Sequence, residues 1–252
     1  KTVGGAGTIT FNGLSVTGSV STTNNFSIKS DLSVSGSLSA TAGTATFTGT
    51  STLSGSPNLF NVTLNGTKLQ LGTGSSLGVG GALTLTAGTF DVTTTAPNTV
   101  NYNASGAQSV RSTTYHNLNL STGGVKTAGG AVTVNGDLTI NTGATFAAST
   151  FTHSVNGNWV NSGSFTGGTS TVPFVGGGDA SVTGATTFNT TTAPGRRAIR
   201  IAPIRIVSKA WWSGCVARLK AFRGPRSSSS WTTRRRARRR SRGPGAFPAL
   251  PA

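Results

Sequence analysis

Apolar and polar residues alternate in short triplets along most of the chain. In each triplet, two residues from Val, Leu, Ile and Phe flank one Ser, Thr, Asn or Gln. A period of two places the apolar side chains on one face of a strand and the polar side chains on the other. The pattern therefore predicts half-buried strands, the clearest at residues 26–28, 32–34, 62–64, 69–71, 83–85, 118–120, 132–134 and 138–140.

A longer motif, which we call the phrase, also repeats along the chain: Val-x-Gly-x-Leu followed by glycine and phenylalanine. Its clearest copy runs from Val134 to Phe146, and further copies start at Val34, Val79 and Val155. A coil of roughly 20–25 residues with variable loops accounts for the irregular spacing. Because one coil cannot bury its apolar face alone, coils stack around a continuous apolar column. We therefore predict an all-β fold, a right-handed parallel β-solenoid of roughly eight coils. A β-sandwich is the main alternative.

The phrase also carries a resemblance to a group of known proteins. Residues 115–146 open with Tyr-His-Asn-Leu-Asn-Leu and close with Val-Asn-Gly-Asp-Leu-Thr-Ile-Asn-Thr-Gly-Ala-Thr-Phe. This string resembles the repeats of large bacterial surface and secreted proteins, namely the parallel β-helix modules of adhesin-like and autotransporter-passenger-like proteins. The resemblance covers about residues 8–192. It implies an extracellular stalk or adhesin-like segment at a bacterial cell surface. Its partners would be neighbouring repeats of the parent protein, and glycans or host-matrix proteins.

Composition divides the chain between residues 194 and 195. Residues 1–194 contain five Lys or Arg and four Asp, so the net charge of +17 comes almost entirely from the tail. Residues 195–252 hold 16 of the 21 Lys and Arg, the single Cys215 and three of the four Trp. The chain starts at Lys1 without Met, which we interpret as a fragment or a processed piece. No apolar run approaches the roughly 18 residues of a membrane span.

The tail contains an arginine-rich run at residues 234–240, of the kind that binds phosphate backbones. However, the composition changes in mid-phrase, after residues 187–189, to residue types with GC-rich codons. We favour out-of-frame translation over a genuine disordered basic tail or a nucleic-acid-binding arm, and we expect another reading frame to continue the phrase beyond residue 190. The tail is predicted to be disordered and to bind no specific nucleic acid. Residues 199–201 and 204–206 could nevertheless add a strand.

The sequence contains few side chains that could act in catalysis. The carboxylate side chains are Asp31, Asp91, Asp137 and Asp179, and there is no Glu. A carbohydrate-active β-helix enzyme, a lyase or glycosidase, is the alternative function, and it needs two carboxylates within about 5–10 Å or a base beside Lys or Arg. Asp31 and Asp137 lie in different copies of the repeat. Asp137 occupies a position that is Ser, Ala or Asn in other copies, which indicates a solvated face. We therefore expect a non-enzymatic protein without catalytic residues.

Metal and cofactor sites are not expected either. His116 and His153 lack the spacing of a helical metal-binding pair, and no Glu or Cys lies near them. His116 is predicted to be a residue of a strand surface. The Gly-Gly-Gly sequence before Asp179 occurs once and predicts a turn, not a tandem calcium-binding repeat.

Two repeated residue types have both a structural and a functional interpretation. Thr alternates at residues 8–10, 44–48 and 84–86, as in the outward threonine ladders of ice-binding solenoids. Because Thr is also a good polar strand former, and because Ser, Asn and Ala are interspersed, we do not expect a regular array. The phenylalanines of the repeat predict a core stack, with an exposed sugar-binding row as the alternative. They are Phe11, Phe47, Phe60, Phe90, Phe146 and Phe165.

Overall fold

The protein is a parallel β-solenoid, as the repeat predicts. The computed structural model describes residues 7–194 and 198–201, and every regular element within them is a β-strand. All pairings between these strands are parallel. Three strands make one turn of the coil, so a strand generally pairs with the third strand before it and the third strand after it.

One sheet runs along the whole coil, and we call it the long sheet. Its strands are β3 (Ser19–Thr22), β6 (Ser37–Ala40), β9 (Asn58–Leu59), β12 (Ser76–Val79), β15 (Thr99–Tyr102), β18 (Asn117–Leu120), β21 (Leu138–Ile140), β24 (Trp159–Asn161), β27 (Ala180–Thr183) and β29 (Ile199–Ile201). These 10 strands mark ten turns in the described residues, whereas roughly eight were predicted. The turns lie just below the predicted range of roughly 20–25 residues or within it: residues paired on the long sheet are 18 apart at Val20 and Leu38, and 23 apart at Val79 and Tyr102.

The other two sides of the coil change after the fifth turn. Sheet N1 consists of β1 (Ile9–Phe11), β4 (Phe26–Ile28), β7 (Thr44–Phe47), β10 (Asn61–Leu64) and β13 (Leu83–Leu85). Sheet N2 consists of β2 (Leu14–Val16), β5 (Leu32–Val34), β8 (Thr50–Gly55), β11 (Lys68–Leu71) and β14 (Thr89–Asp91). From the sixth turn onward, sheet C1 contains β16 (Gln108–Val110), β19 (Gly124–Ala128), β22 (Ala144–Ala147) and β25 (Ser164–Thr166). Sheet C2 contains β17 (Thr114–Tyr115), β20 (Thr133–Val134) and β23 (Ser154–Val155), and β26 (Thr171–Pro173) pairs with β28 (Thr190–Thr192).

The apolar side chains form one continuous column inside the coil. Strands β4, β5, β13 and β21 have the predicted bounds. Ile28 and Leu32 are completely buried, while Ser33 between two buried neighbours is exposed. Burial of each such Leu or Ile side chain stabilises the fold by roughly 1.5–3 kcal/mol. The predicted inward alternation of apolar residues is therefore confirmed.

The phenylalanines do not form the single stack that the repeat predicted. Phe47 and Phe146 are completely buried, but the other four predicted members are only partly buried. The predicted members also lie on different sheets: Phe47 is on N1, Phe90 is on N2 and Phe165 is on C1. The closest ring packing instead involves Trp159, whose ring centre lies 4.8 Å from that of Phe165 and 5.0 Å from that of Phe188.

Some corners require glycine because successive turns approach closely. Gly55 has a φ of 87°, and a Cβ atom at this position would lie 1.8 Å from the carbonyl oxygen of Val34 on the turn before. Both the left-handed conformation and the contact exclude other residues.

The coil continues past the change in composition at residue 194. Strand β29 pairs with β27, with Ala180 opposite Ile199 and Val182 opposite Ile201. The predicted additional strand at residues 199–201 is therefore confirmed. The possible strand at 204–206, the arginine run at 234–240 and the predicted disorder of the rest of the tail lie outside the described residues.

Candidate functional sites

A buried glutamine joins the two halves of the coil. Gln108 begins β16, points inward and is 7% exposed. Its amide nitrogen donates to the carbonyl oxygens of Val79 at 2.7 Å and Gly81 at 2.8 Å. Its amide oxygen accepts the backbone N–H of Ala104 at 3.1 Å. Gln108 thus supplies hydrogen bonds to corner residues at the point where sheets N1 and N2 end.

Lys126 is a buried cation one turn further on. It pairs with Gln108 on sheet C1 and is completely buried, whereas its neighbour Val125 is 43% exposed. The ammonium group donates to the carbonyl oxygens of Ala104 and Gly106, and it belongs to neither ion pair of the described residues. Burial lowers the pKa of Lys126, because an apolar interior disfavours the charged form. Because the nitrogen is enclosed, Lys126 serves as a structural link between corner residues.

Two buried tyrosines form a closed hydrogen-bond network with the backbone of Arg111. Tyr115 donates its hydroxyl proton to the carbonyl oxygen of Arg111 at 2.6 Å. The hydroxyl of Tyr102 therefore donates to that of Tyr115 at 2.7 Å, and it accepts the N–H of Arg111 at 3.1 Å. Burial raises the pKa of Tyr102 to about 12 and that of Tyr115 well above its ordinary value. Both phenols are therefore neutral hydrogen-bonding groups at physiological pH.

Asp137 belongs to a ladder along the long sheet and is not on a purely solvated face. The side-chain oxygen of Asn117 accepts the backbone N–H of Asp137 at 2.9 Å. Asp137 in turn accepts the N–H of Asn158 at 2.7 Å, and Asn158 accepts the N–H of Ser181 at 2.9 Å. Each side chain therefore binds the residue that occupies its own position one turn further along. The prediction of a solvated face for Asp137 was incomplete, because it treated each copy of the repeat separately.

The four carboxylates lie on different turns. On sheet N2, Asp31 is in register with Thr52, Thr52 with Gln70, and Gln70 with Asp91. Three rungs of about 4.8 Å separate Asp31 from Asp91 by roughly 14 Å. The other two, Asp137 and Asp179, precede strands β21 and β27 of the long sheet.

Asp91 forms the tightest charged contact of the described residues. Its carboxylate lies 2.8 Å from the Lys68 ammonium and accepts the N–H groups of Thr93 and Thr94 at 3.1 and 3.0 Å. Burial alone would raise the pKa of Asp91. The hydrogen bonds from Lys68 and the two threonines outweigh burial and hold this pKa well below its usual range. The carboxylate is therefore ionised and fully engaged in holding the loop that follows β14.

The two histidines have unrelated surroundings. His153 is completely buried: its Nδ1 accepts the N–H of Val132 at 3.3 Å, and its Nε2 therefore donates to the carbonyl oxygen of Ala148 at 2.9 Å. Burial lowers the pKa of His153, and its hydrogen bond to Ala148 only partly opposes this effect. His116 is half-buried in the bend between β17 and β18, so the prediction of a strand-surface position was wrong.

Uncharged polar side chains cover the outside of the strands in two arrangements. On the long sheet they bond to one another across turns, as Ser121 does to Asn101 at 2.8 Å and Asn141 does to Asn119 at 2.7 Å. On sheet N1 the outward positions form a file of threonines and one serine. Ser27 interrupts this file, and the outward positions beside it include Asn25, Asn61 and Ala82, so the predicted interspersion of Ser, Asn and Ala is confirmed. The members of the file are Thr10, Ser27, Thr46, Thr63 and Thr84.

Two other kinds of site are absent from the described residues, and no similar protein was found. Within residues 7–194 and 198–201, no group of three or more His, Cys, Asp or Glu side chains could hold a metal ion. The same residues contain no helix long and apolar enough to cross a membrane. The chain matches no known family model, no curated protein and no solved structure.

Proposed function

We propose that the chain is a non-enzymatic stalk or adhesin-like segment of a bacterial cell-surface or secreted repeat protein. The observation that carries this proposal is the continuity of the long sheet over ten turns around a closed apolar core. At about 4.8 Å per turn, such a coil extends roughly 43 Å along its axis. A rigid spacer made of repeats can be lengthened turn by turn without a change in its core.

The buried polar groups support the same proposal. Gln108, Lys126 and the tyrosine pair bond to backbone groups of the coil, and Asp91 and Asp137 bond to side chains or backbone of neighbouring turns. Each of these groups therefore serves to hold turns together. Recognition of a glycan or a matrix protein would fall to the uncharged outer faces.

Binding assays with the full chain test the adhesin-like role. The chain would be applied to arrays of glycans and of matrix proteins, at low salt and at high salt. Contacts made by the arginine-rich tail weaken steeply as salt rises, whereas contacts of the uncharged faces do not. We expect a complex that survives high salt. A complex lost at high salt would point to the tail alone and would contradict an adhesin-like role of the coil.

A depolymerisation assay tests the alternative that the chain is a carbohydrate-active enzyme. The full chain would be incubated with polysaccharides, and the release of new reducing or unsaturated ends would be measured. We expect no release above that of a variant with Asp91→Asn and Asp179→Asn, which changes the two described carboxylates that lie beside a Lys or an Arg. Turnover by the unaltered chain that the variant lacks would overturn the proposal.

A further inference from the structure

The outward file on sheet N1 differs from the outer faces of the same turns elsewhere. Four of its five members are threonine, at positions 10, 46, 63 and 84. The corresponding outward positions of the long sheet in the first five turns contain no threonine. They are Ser21, Ser39, Asn58, Gly78 and Asn101. On sheet N2, Ser15, Ser33 and Ser54 occupy one outward file.

This contrast separates two explanations for the threonines: their strand propensity, and a binding role of the face on which they lie. If threonine were present only because it forms strands well, it would recur on every outward face of these turns. Outside sheet N1, the outward threonines of these turns are Thr50, Thr52 and Thr89 on N2, where Lys68, Gln70 and Asp91 share their files, and Thr99 on the long sheet. Only on N1 do threonines fill four of the five places of one file. A β-branched side chain is stiff about χ1, so each hydroxyl and methyl of the file has a fixed direction. Recognition by such groups loses little conformational entropy.

The hydroxyls of the file are also available to a ligand. Those of Ser27, Thr46, Thr63 and Thr84 make no hydrogen bond to any other residue that the structure describes. On the long sheet, by contrast, Asn103 donates to Asn58 at 3.0 Å and Ser121 donates to Asn101 at 2.8 Å. The outer face of the long sheet thus satisfies much of its own hydrogen bonding, and the file on N1 does not.

The two positions flanking the file extend it into a grid, but part of each flank bonds across turns as the long sheet does: Asn61 accepts the N–H of Ala82 at 2.9 Å, and Thr86 donates to the carbonyl oxygen of Leu64 at 2.8 Å. The groups available to a ligand are therefore mainly those of the central file. Two residues before the file stand Thr8, Asn25, Thr44, Asn61 and Ala82, and two residues after it stand Asn12, Lys29, Thr48, Asn65 and Thr86. Neighbouring members are about 4.8 Å apart between strands and roughly 6.7 Å apart along a strand. Lys29 is the one charged residue of these positions, and no aromatic residue occurs among them. We call the file and its flanks the threonine face.

We propose that the threonine face binds the surface of ice. A rigid grid with a fixed repeat selects a ligand that itself repeats at spacings of a few ångströms. Hydroxyls donate to and accept from ordered water, and the methyl groups between them fit an uncharged lattice. A polysaccharide surface would favour aromatic side chains that stack on sugar rings, and the face has none. This inference concerns one face of the coil and is independent of whether the coil is a stalk.

Partition of the full chain into growing ice tests the proposal. Fluorescently labelled protein would be present while a polycrystalline ice body grows slowly, and the fluorescence of the ice and of the remaining liquid would be compared. We expect enrichment in the ice and slower recrystallisation of small ice grains. Exclusion of the unaltered chain from the ice would overturn the proposal.

Two matched variants locate the binding face. Thr63→Lys places a charge in the centre of the threonine face, and Ser39→Lys places the same charge on the outer face of the long sheet. Circular dichroism would establish that both variants keep the strand content of the unaltered chain. We expect Thr63→Lys to lower the ice partition at least roughly tenfold, and Ser39→Lys to leave it nearly unchanged.

The controls also separate ice from other periodic surfaces. Equal losses in the two variants would show that charge, and not the threonine face, determines the partition, and would contradict the proposal. Retention on crystalline polysaccharide together with exclusion from ice would replace it with a glycan-binding face. Adding salt to suppress the arginine-rich tail should leave the partition of the unaltered chain unchanged, and a loss would assign binding to the tail.

Discussion

Gln108 is expected to be the polar residue on which the joint between the two halves of the coil most depends. Sheets N1 and N2 end with the fifth turn, sheets C1 and C2 begin with the sixth, and the long sheet continues through both. Gln108 bonds the sixth turn to the corner of Val79 and Gly81 that begins the fifth. Replacing it with leucine keeps a side chain of similar size and removes all three hydrogen bonds.

The cost of Gln108→Leu can be worked out group by group. The carbonyl of Val79 retains a second partner, the N–H of Asn103 at 3.0 Å. The carbonyl of Gly81 and the N–H of Ala104 lose the hydrogen bonds that Gln108 makes to them. Both groups are partly buried. A group left unsatisfied away from water costs about 1–3 kcal/mol, and burial of the leucine offsets part of the sum. We expect the free energy of unfolding to fall by about 2–4 kcal/mol.

Denaturant unfolding followed by circular dichroism measures this effect. Because a solenoid is stabilised by contacts between neighbouring turns, a weak joint should also split the transition into two steps. Ser109→Ala, at the exposed next residue of β16, is the matched control and should change stability by less than about 0.5 kcal/mol. A single transition of Gln108→Leu at the midpoint of the unaltered chain would refute the reasoning.

The variant Gln108→Glu adds a test in which stability is measured as a function of pH. A carboxylate would face the carbonyl oxygens of Val79 and Gly81, so its folded-state pKa should rise above the ordinary value of about 4.3. A raised pKa means that stability is present at low pH and is lost as the pH rises through the folded-state value. Recovery of this variant on acidification is therefore expected. Equal instability at all pH values would contradict a role for the amide donors.

Three further predictions concern other buried polar groups. Because burial lowers the pKa of His153, the unfolded chain takes up a proton below pH about 6.5 more readily than the folded chain does. The free energy of unfolding should therefore fall on acidification, and it should fall less steeply in His153→Gln. Thermal unfolding at pH about 7.5 and about 5.5 measures this difference. Tyr102→Phe should lower the free energy of unfolding in denaturant by about 1–3 kcal/mol, because the hydroxyl of Tyr115 and the N–H of Arg111 both lose a partner. A decrease below about 0.5 kcal/mol would contradict the closed network. Asp137→Ala should cost about 1 kcal/mol in the same assay and Asp137→Asn much less, because only asparagine keeps the acceptor for Asn158; equal losses would show that the charge matters instead.

The strands could be predicted from the sequence because a period of two is a local signal. The triplets at 26–28 and 138–140 are strands with those bounds, and Ile28 and Leu138 are buried as predicted. The number of turns could not be predicted as well. It depends on the length of each corner, and the repeat phrase does not fix that length.

The buried polar groups could not be found from local alternation. At β19, hydrophobicity alone would turn Val125 inward and Lys126 outward, and the structure does the reverse. The register decides this, because Lys126 pairs with the inward Gln108 on one side and with the buried Phe146 on the other. The ladder of Asp137 was likewise recognisable only by aligning it with Asn117 and Asn158 of the neighbouring turns. A sequence signal for both existed, but it lay between copies of the repeat.

Buried polar side chains mark the places where the coil changes its length. Gln108 bonds the corner that begins the 23-residue turn from Val79 to Tyr102, and Lys126 bonds the corner that follows that turn. The other long turn runs from Trp159 to Val182. There, the buried amide of Asn161 donates to the carbonyl oxygen of Ala185 at 2.7 Å.

A longer turn displaces corner carbonyls from the regular ladder between strands. Because an unpaired buried carbonyl is costly, an inward amide or ammonium that binds it stabilises the irregular turn. An Asn, Gln or Lys at an inward position is therefore a signal in the sequence that an adjacent turn departs from the usual length. The same physical requirement explains why these residues interrupt an otherwise apolar column.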